Sequence, residues 1–217
     1  CLNNMSKYRL SVALPCFERP ARTRRIINNL LAQNINGWEA FIIGDGCPYF
    51  DEMIDSKEVE YFVKTAESNG NKIHCFNLEE NEGGCGYHIL NYAKSHAQGE
   101  YFLILNNDDW IEPNHFEHYL SEIENTDWDL LFYRAYADFV IPGAIREPSL
   151  QLGGVGHSEI IVKTEVAKQI NHSSKYGHDW EFIKDLISSG AKHKIASSNE
   201  CTYHVMSTQG KTKEMID

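Results

Sequence analysis

Short apolar segments alternate with helical patterns along this chain as far as residue 125. Strands are expected at residues 8–14, 38–43, 72–78 and 101–105, and helices at residues 22–33, 51–68, 86–96 and 114–123. Strands that are joined through helices pair in parallel, because each crossover helix returns the chain to the same end of the sheet. The pattern therefore predicts an α/β fold, with a mixed, mainly parallel sheet flanked by helices on both faces.

The alternation breaks down beyond residue 125. Residues 127–142 indicate one or two strands, residues 153–163 a loop and a strand, and residues 179–188 a further helix. The sequence has no internal repeat, low-complexity tract or linker. We therefore expect one domain over residues 1–217, a length that suffices for a single buried core.

Composition limits the class of protein. Hydrophobic residues make up 42% of the chain and charged residues 24%, and no apolar run approaches the roughly 20 residues that a transmembrane helix needs. The net charge of -11 argues against a nucleic-acid-binding surface, which requires a basic field. The six cysteines form no C-x-x-C pair, and the N-terminus shows no signal-peptide pattern. We therefore expect reduced thiols and a cytoplasmic location.

Polar clusters follow each of the four predicted strands. They lie at residues 15–20, 44–46, 81–86 and 106–109. In an open parallel sheet, ligands bind beyond the carboxyl ends of the strands. We therefore expect the four clusters to surround one binding site, although Gly, Asn and Asp also occur in loops simply because they turn the chain.

The most informative cluster is the run from Asn106 to Asp109 after the strand YFLIL. Mg²⁺ and Mn²⁺ take carboxylate oxygens together with phosphate oxygens and water, usually with only one or two protein carboxylates. Two adjacent acids at a strand end meet that demand, and a polar turn before the next helix is the alternative. The glycine-rich segment 81–86 could offer backbone amides to an anion, but it matches neither the dinucleotide fingerprint nor the Walker motif.

Together these segments resemble the GT-A glycosyltransferases, above all family 2, whose members are inverting and use nucleotide-sugar donors. LSVALPCFER is similar to the family's opening segment, FIIGDGC to its second strand end and NEGGCG to its Asn-x-Gly-Gly-x-Gly loop. YFLILNNDDWIEP resembles the family's Asp-x-Asp stretch, and GHDWEFIKDLISSGAKHKI the helix that carries the catalytic base. TYHVMS is similar to a C-terminal segment that returns a histidine to the metal. The likeness runs from about residue 8 to residue 207.

This resemblance implies a hexosyltransferase-like enzyme that moves one sugar from a nucleotide-diphosphate donor, a UDP-sugar, to the hydroxyl of a glycan or other acceptor. It implies Mn²⁺ or Mg²⁺ as cofactor and inversion at the anomeric carbon. Residues 8–110 would form the nucleotide-sugar-binding half, residues 111–207 the acceptor and catalytic half, and residues 208–217 a tail. The chain is short for the family, which leaves room for other domains in a longer protein.

The resemblance also implies roles for individual residues. Asp179 would be the general base, and Asp108 would hold the metal with Asn106 and His204 as further ligands. Asp45 would bind the base of the nucleotide. The other nucleotide-binding positions would be Pro15, Phe17, Arg19, Asn81, Gly83, Gly84, Asn107 and Asp108.

Three positions depart from the family pattern. Asn106 stands where the first acid of Asp-x-Asp usually lies, which weakens the metal site or moves it onto Asp108 and Asp109. Gly44 replaces an acid of the second strand end, and His178 replaces the glutamate before the base. The Gln-x-x-Arg-Trp motif of processive synthases is absent from the sequence, which favours the transfer of a single sugar.

Other interpretations stay open at this stage. A nucleotidyltransferase on a related α/β sheet is one alternative, and a catalytically inactive module that binds sugar nucleotides is another. Arg19 could be a surface guanidinium, and Asp179 a helix N-terminal acid favoured by the macrodipole. His115 and His118 lie one turn apart without the His-Glu-x-x-His pattern, so we expect them on an exposed polar face.

Overall fold

The computed structural model describes residues 6–83, 86–138, 140–175 and 177–206. The strands are β1 (Tyr8–Cys16), β2 (Trp38–Gly44), β3 (Lys72–Asn77), β4 (Gly99–Ile104), β5 (Trp110–Ile111), β6 (Leu130–Phe132), β7 (Ala135–Tyr136), β8 (Ile145–Arg146), β9 (Ile160–Lys163), β10 (His193–Ile195) and β11 (Tyr203–His204). The helices are α1 (Pro20–Leu31), α2 (Pro48–Asp55), α3 (Glu58–Ser68), α4 (Tyr87–His96), α5 (His115–Ile123), α6 (Thr164–Ala167) and α7 (His178–Ser188). The predicted tail at residues 208–217 lies outside the described part of the chain.

The main sheet has seven strands in the order β10-β6-β9-β4-β1-β2-β3. The chain builds outward from β1 through β2 to β3 and then returns to place β4 on the other side of β1, and all of these pairs are parallel. β9 runs antiparallel to both β4 and β6, so the sheet is mixed. The predicted α/β fold with a mainly parallel sheet is therefore confirmed.

Helices cover both faces of this sheet because its strands are apolar on both sides. On one face, the side chains of Leu10, Val12 and Leu14 on β1 join a core that includes residues of α1, α2, α3 and α5. On the other face, Ala13 and Phe41 join a core with α4, α6 and α7. Burial on both faces is what a parallel sheet in an α/β fold requires.

A second, four-stranded sheet has the order β5-β11-β7-β8. β11 pairs antiparallel with β5 through Tyr203 opposite Ile111, and it pairs in parallel with β7. This small sheet brings strands from after residue 130 next to the segment that follows β4. The small sheet therefore lies next to the carboxyl end of β4.

The predicted helix at residues 51–68 is two helices. α2 starts earlier, with Pro48 at its first position, and the break falls at Lys57, whose backbone is left-handed with a φ of 63°. A non-glycine residue in this region interrupts a right-handed helix, and the sequence carries no Gly or Pro there to signal the interruption. The other predicted elements agree with the structure apart from shifts of a few residues at their ends.

Two further expectations concern the chain as a whole. None of the helices in the described residues is both long enough and apolar enough to span a bilayer. Four cysteines in the described residues, Cys16, Cys47, Cys75 and Cys201, are free thiols.

Gly44, which stands where the family pattern has an acid, closes β2 in a space with no room for a side chain. A Cβ atom there would lie 2.2 Å from Oδ1 of Asn77 and 2.8 Å from Cγ of Phe50. Asn77 cannot move aside easily, since its side chain bonds to the backbone N–H and C=O of Cys47 and to Asp51.

We therefore predict that Gly44→Asp, which restores the acid of the family pattern, destabilises the fold. Overpacking of this kind costs roughly 1–3 kcal/mol of unfolding free energy. Urea unfolding of the variant and the wild type measures the difference. An unchanged midpoint would show that this end of β2 has space for an acid.

Candidate active site

The carboxyl ends of β1, β2 and β4 border a cleft with a volume of about 850 Å³. It lies where the strand order reverses, between β1 and β4, the position at which open α/β sheets bind ligands. Most of the predicted site residues line it: Pro15, Phe17, Arg19, Asp45, Asn81, Gly83, Asn106, Asn107, Asp108 and Asp179. Gly84 lies outside the described residues. The roles of these residues stay predictions, but the structure brings them to one cavity.

Asp108 is the acid at the end of β4 that faces the cleft. Its side chain is 20% exposed, and its Oδ2 atom accepts a hydrogen bond from Nη1 of Arg19 at 3.0 Å. The pair joins the segment after β4 to the segment after β1. A carboxylate in this position is accessible to a ligand and already faces a cationic group.

Asn107 holds the loop after β1 in place. Its side-chain amide donates to the carbonyl oxygens of Phe17 and Glu18, at 3.2 and 3.3 Å, and contacts the Thr23 hydroxyl at 3.0 Å. Glu18 and Arg19 both have left-handed backbones, with φ of 52° and 54°, which non-glycine residues adopt at a cost. The buried amide of Asn107 therefore stabilises the loop conformation that directs Arg19 toward Asp108.

Asp109, next to Asp108, has the opposite environment. Its buried carboxylate accepts hydrogen bonds from the Tyr203 hydroxyl at 2.6 Å and from the backbone N–H of Met206 at 2.7 Å. Burial, together with the nearby charge of Asp108, raises the pKa of Asp109 to about 6. Asp109 thus anchors the C-terminal strand region to the end of β4. Both acids border the cleft, but Asp108 is the more exposed of the two.

Asp45 and Asn81 form the side of the cleft nearest to β2. The Asp45 carboxylate accepts a hydrogen bond from the backbone N–H of Glu82 at 3.1 Å and lies 3.1 Å from Nε2 of His88. The Asn81 side chain donates to the Asp45 carbonyl oxygen at 2.9 Å. These contacts tie the segment 81–83 to the end of β2, which places a buried carboxylate at a fixed position in the wall.

Asp179 lies at the first turn of α7, where the helix macrodipole favours a negative charge. Its Oδ1 atom accepts a hydrogen bond from the backbone N–H of Trp180 at 2.8 Å. A Cβ atom on Gly156 would lie 4.0 Å from Asp179 Oδ2 and 3.2 Å from Glu159 Oε2. The bare backbone of Gly156 therefore leaves space beside the second carboxylate oxygen.

A buried ion pair supports this part of the cleft. The Glu159 side chain is 1% exposed, and both of its oxygens accept hydrogen bonds from the guanidinium of Arg146. Burial raises the pKa of Glu159, and the charge of Arg146 opposes that rise. Removing one partner of such a pair leaves the other as an uncompensated buried charge, so the pair fixes β8 against the segment before β9.

His204 is not among the residues that line the cleft, and its expected ligand role stays a prediction. Its ring is stacked between Trp110 and Tyr136, with centroids 3.6 and 4.4 Å away. Nδ1 lies 2.8 Å from a carboxylate oxygen of Asp138, and Nε2 lies 3.1 Å from one of Glu112. Both ring nitrogens therefore already have carboxylate partners.

The expected ligand role of Asn106 stays a prediction. Its amide nitrogen lies within hydrogen-bonding distance of Asp109, Ser158 and Tyr203, at 3.0–3.4 Å, and its carbonyl oxygen lies 3.1 Å from Nε2 of His157. The whole side chain is thus part of a hydrogen-bonded network at the floor of the cleft.

The prediction that His115 and His118 are exposed is wrong. Their exposed fractions are 0% and 6%, and Nδ1 of each lies 2.9–3.0 Å from the Thr202 hydroxyl. Burial lowers the pKa of both rings. The helical face that carries them packs against the strand region around residue 202 because aromatic rings of Tyr119 and Tyr203 complete the same layer.

Several residues of the cleft were not predicted from the sequence: Arg146, Gly156, His157, Ser158, Glu159 and Tyr203. Most of them precede or lie near the start of β9. Because β9 runs antiparallel to β4, its start lies at the same sheet edge as the ends of the parallel strands. The polar run GHSE before the apolar run IIV was the available signal.

The fold and the cleft define a domain of the GT-A glycosyltransferase type. S. aureus TarS 1-349 in complex with UDP superimposes with a TM-score of 0.70 at 17% identity, over 91% of this chain and 60% of that chain. The mannosyltransferase PcManGT from Pyrobaculum calidifontis, in complex with GDP-Man and Mn²⁺, gives a TM-score of 0.70 at 12% identity, over 95% of this chain and 59% of that chain. At these identities the likeness shows the fold alone.

The model of the family described as glycosyl transferase family 2 matches residues 11–182, and the chain belongs to this family. An uncharacterized glycosyltransferase of Rickettsia conorii is 34% identical over 128 residues, 58% of this chain and 19% of that protein. One of Rickettsia typhi is 33% identical over 128 residues, again 58% of this chain and 36% of that protein. The chain thus matches between about a fifth and about a third of the length of these relatives.

Because several histidines are buried, we predict that the free energy of unfolding decreases at acidic pH. A folded-state pKa that is lowered by burial, as at His115, means that the unfolded chain binds a proton below about pH 6.5 that the folded chain does not. The free energy of unfolding should therefore fall as the pH drops below about 6.5. In His115→Phe the slope should be smaller by up to about 1.4 kcal/mol per pH unit.

Urea unfolding of the wild type and of His115→Phe between pH 4.5 and 7.5 measures both slopes. Equal slopes in the two proteins would contradict the assignment of a proton-linked cost to His115.

Proposed function

We propose that this chain is a glycosyltransferase domain that moves a single sugar from a UDP-sugar to an acceptor hydroxyl, with a divalent metal ion and with inversion. One observation carries the proposal: Asp108 at the end of β4 and Asp179 at the start of α7 line the same cleft at the switch point of the sheet. The two groups come from different halves of the chain. A glycosyltransferase needs its donor site next to its acceptor site, and these two carboxylates lie in one cavity, as that arrangement requires.

Membership in glycosyl transferase family 2 supports the reaction class. The nucleotide complexes of the structural neighbours, UDP and UDP-GlcNAc with TarS and GDP-Man with PcManGT, support a nucleotide-sugar donor. Within this cleft, the buried Asp45 carboxylate would accept a hydrogen bond from the ring N–H of the base. Asn81 and Gly83 would lie along the ribose and diphosphate. We propose UDP as the nucleotide because TarS is seen with UDP and UDP-GlcNAc and because the ring N–H of uracil can donate to Asp45. Thymine and guanine also carry a ring N–H, so this hydrogen bond alone does not choose among the bases.

The residues at the end of β4 fit a hard divalent cation. Mg²⁺ and Mn²⁺ need one or two protein carboxylates when diphosphate oxygens complete their shell, and Asp108 offers an accessible one. Asp109 is already bonded to Tyr203 and Met206, so we assign it to holding the strand end rather than to the ion. When bound, the ion would offset the negative charge that gathers on the departing nucleoside diphosphate.

Asp179 would take the proton from the acceptor hydroxyl as that oxygen attacks the anomeric carbon. A hydroxyl is a poor nucleophile near neutral pH, and a positioned carboxylate that removes its proton lowers the barrier. The hydrogen bond from the Trp180 N–H fixes one oxygen of Asp179, and the space beside Gly156 leaves the other accessible. Attack from the face opposite to the leaving group inverts the anomeric configuration.

The donor site predicts a metal-linked stabilisation. UDP with Mn²⁺ should raise the melting temperature of the wild type, because a ligand that binds only the folded state stabilises it. Asp108→Asn should lose most of that rise, since the substitution removes the negative charge that faces the diphosphate site. Thermal denaturation with UDP, Mn²⁺ and both together measures the effect.

Glu60→Gln is the control, because Glu60 pairs with Lys64 on the exposed side of α3 and should keep the full rise. A rise that persists in Asp108→Asn would argue against a metal-bridged diphosphate at this residue.

If Asp179 is the general base, its substitution should lower the rate of transfer without weakening nucleotide binding. Asp179→Asn should keep the UDP and Mn²⁺ stabilisation but lower transfer by roughly 10²–10⁴-fold, the usual contribution of a general base. Glu181→Gln is the matched control on the same helix, since Glu181 pairs with Lys184 at the surface and should leave transfer unchanged.

Release of nucleoside diphosphate from UDP-sugars in the presence of candidate acceptors measures turnover. Equal activity in Asp179→Asn and the wild type would exclude this residue as the base. Release of pyrophosphate in place of nucleoside diphosphate would point to nucleotidyl transfer.

A further inference from the structure

Three histidines meet at the floor of the cleft, which His157 lines, in an arrangement that the proposed transfer does not use. His157, His172 and His178 are all buried, with exposed fractions of 8%, 3% and 7%. Their ring centroids form a nearly equilateral triangle, with separations of 5.9, 5.6 and 5.8 Å, and each pair of rings is inclined by 65–73°. Three imidazoles therefore surround one point from three directions.

Each ring offers one nitrogen to this common point. One possible ligand atom from each histidine lies within 4.8 Å of the other two. Among the described residues, Nδ1 of His157, Nε2 of His172 and Nδ1 of His178 are buried and have no hydrogen-bond partner. A buried nitrogen without a partner costs folding free energy, so three of them at one place call for a ligand.

The contacts of the other ring nitrogens explain why these ones are available. Nε2 of His157 lies 3.1 Å from the Asn106 carbonyl oxygen, an acceptor, so Nε2 carries the proton and Nδ1 keeps a lone pair. Nδ1 of His172 lies 3.3 Å from Nζ of Lys94. A metal on Nε2 would put the His172 proton on Nδ1, which would donate to the Lys94 amine while that amine donates to the Ile170 carbonyl oxygen. Ligating histidines commonly use one nitrogen for the metal and the other for an orienting hydrogen bond.

We propose that His157, His172 and His178 bind a divalent transition-metal ion of the zinc class, at a site separate from the one for the donor's metal. Imidazole nitrogens suit Zn²⁺, whereas Mg²⁺ and Mn²⁺ prefer carboxylate and phosphate oxygens. Zn²⁺ holds such nitrogens at roughly 2.0–2.1 Å, so the rings would draw together slightly as the ion binds. The three ligands lie close together in the sequence but on three different segments of the fold.

The position of this site indicates a structural role. His157 belongs to the short 3-10 helix before β9, His172 to the loop after α6, and His178 to the first residue of α7. An ion held by all three would lock the start of α7, and with it Asp179, to the floor of the cleft. The charge of the nearby Asp179 carboxylate acts on His157 and His178 and favours a cation at this place.

The experiment uses the full chain without any polyhistidine tag, stripped with a chelator and then titrated with Co²⁺. We expect one Co²⁺ per chain, with the visible absorption bands of a nitrogen-ligated ion, and displacement of those bands by Zn²⁺. His172→Gln and His178→Gln should each lower the affinity at least tenfold, since losing even an outer-shell partner commonly costs roughly 10–100-fold. Asp108→Asn and the exposed His96→Gln are the matched controls and should keep the bands.

X-ray absorption of the zinc-loaded wild type supplies a second measurement that needs no variant to fold. We expect a first shell with three imidazole nitrogens. Folded wild-type protein that binds no Co²⁺, bands that persist in both cluster variants, or a first shell of oxygens alone would overturn the proposal. Loss of the bands in Asp108→Asn would also overturn it, because the ion would then lie at the donor site.

Discussion

The adjacency of β1 and β4 is the constraint on which the rest of the molecule depends. The chain builds β2 and β3 on one side of β1 and then returns to place β4 on the other side. The segments that leave these two strands must diverge, and a cleft opens between them. Because the strands are parallel, every polar segment that follows one of them arrives at this same edge. The ion pair between Arg19 and Asp108 spans the opening.

The two neighbouring acids after β4 lie in different environments, one buried and hydrogen-bonded and the other exposed to the cleft. Asp109 is buried and accepts hydrogen bonds from the Tyr203 hydroxyl and the backbone N–H of Met206. Burying a carboxylate costs free energy, and these hydrogen bonds offset part of that cost. The pKa of Asp109 is raised all the same, because burial outweighs the hydrogen bonds. With Asp109 fixed, Asp108 is directed into the cleft. Adjacent carboxylates thus coexist because they occupy different environments, one dry and hydrogen-bonded, the other facing solvent.

The fold and one side of the cleft could be predicted from the sequence because both follow from simple periodic rules. Strands alternating with helices indicated a parallel sheet, and polar clusters after those strands indicated its binding edge. The same rule could not find His157 and Glu159, since they precede a strand that runs antiparallel. Nor could it place His204, whose ring stacks between Trp110 and Tyr136 in a small sheet made of two-residue strands. Such short strands leave no periodic signal, so only tertiary contacts determine where their side chains go.

We propose that Asp108 and Asp179 act on the same sugar diphosphate. A crystal structure with a non-transferable UDP-sugar analogue and Mn²⁺ would show both contacts at once. We expect an anomalous manganese signal beside Asp108, uracil next to Asp45, and the Asp179 carboxylate facing the anomeric carbon on the side away from the diphosphate. A nucleotide bound outside this cleft, or an anomeric carbon out of reach of Asp179, would contradict it.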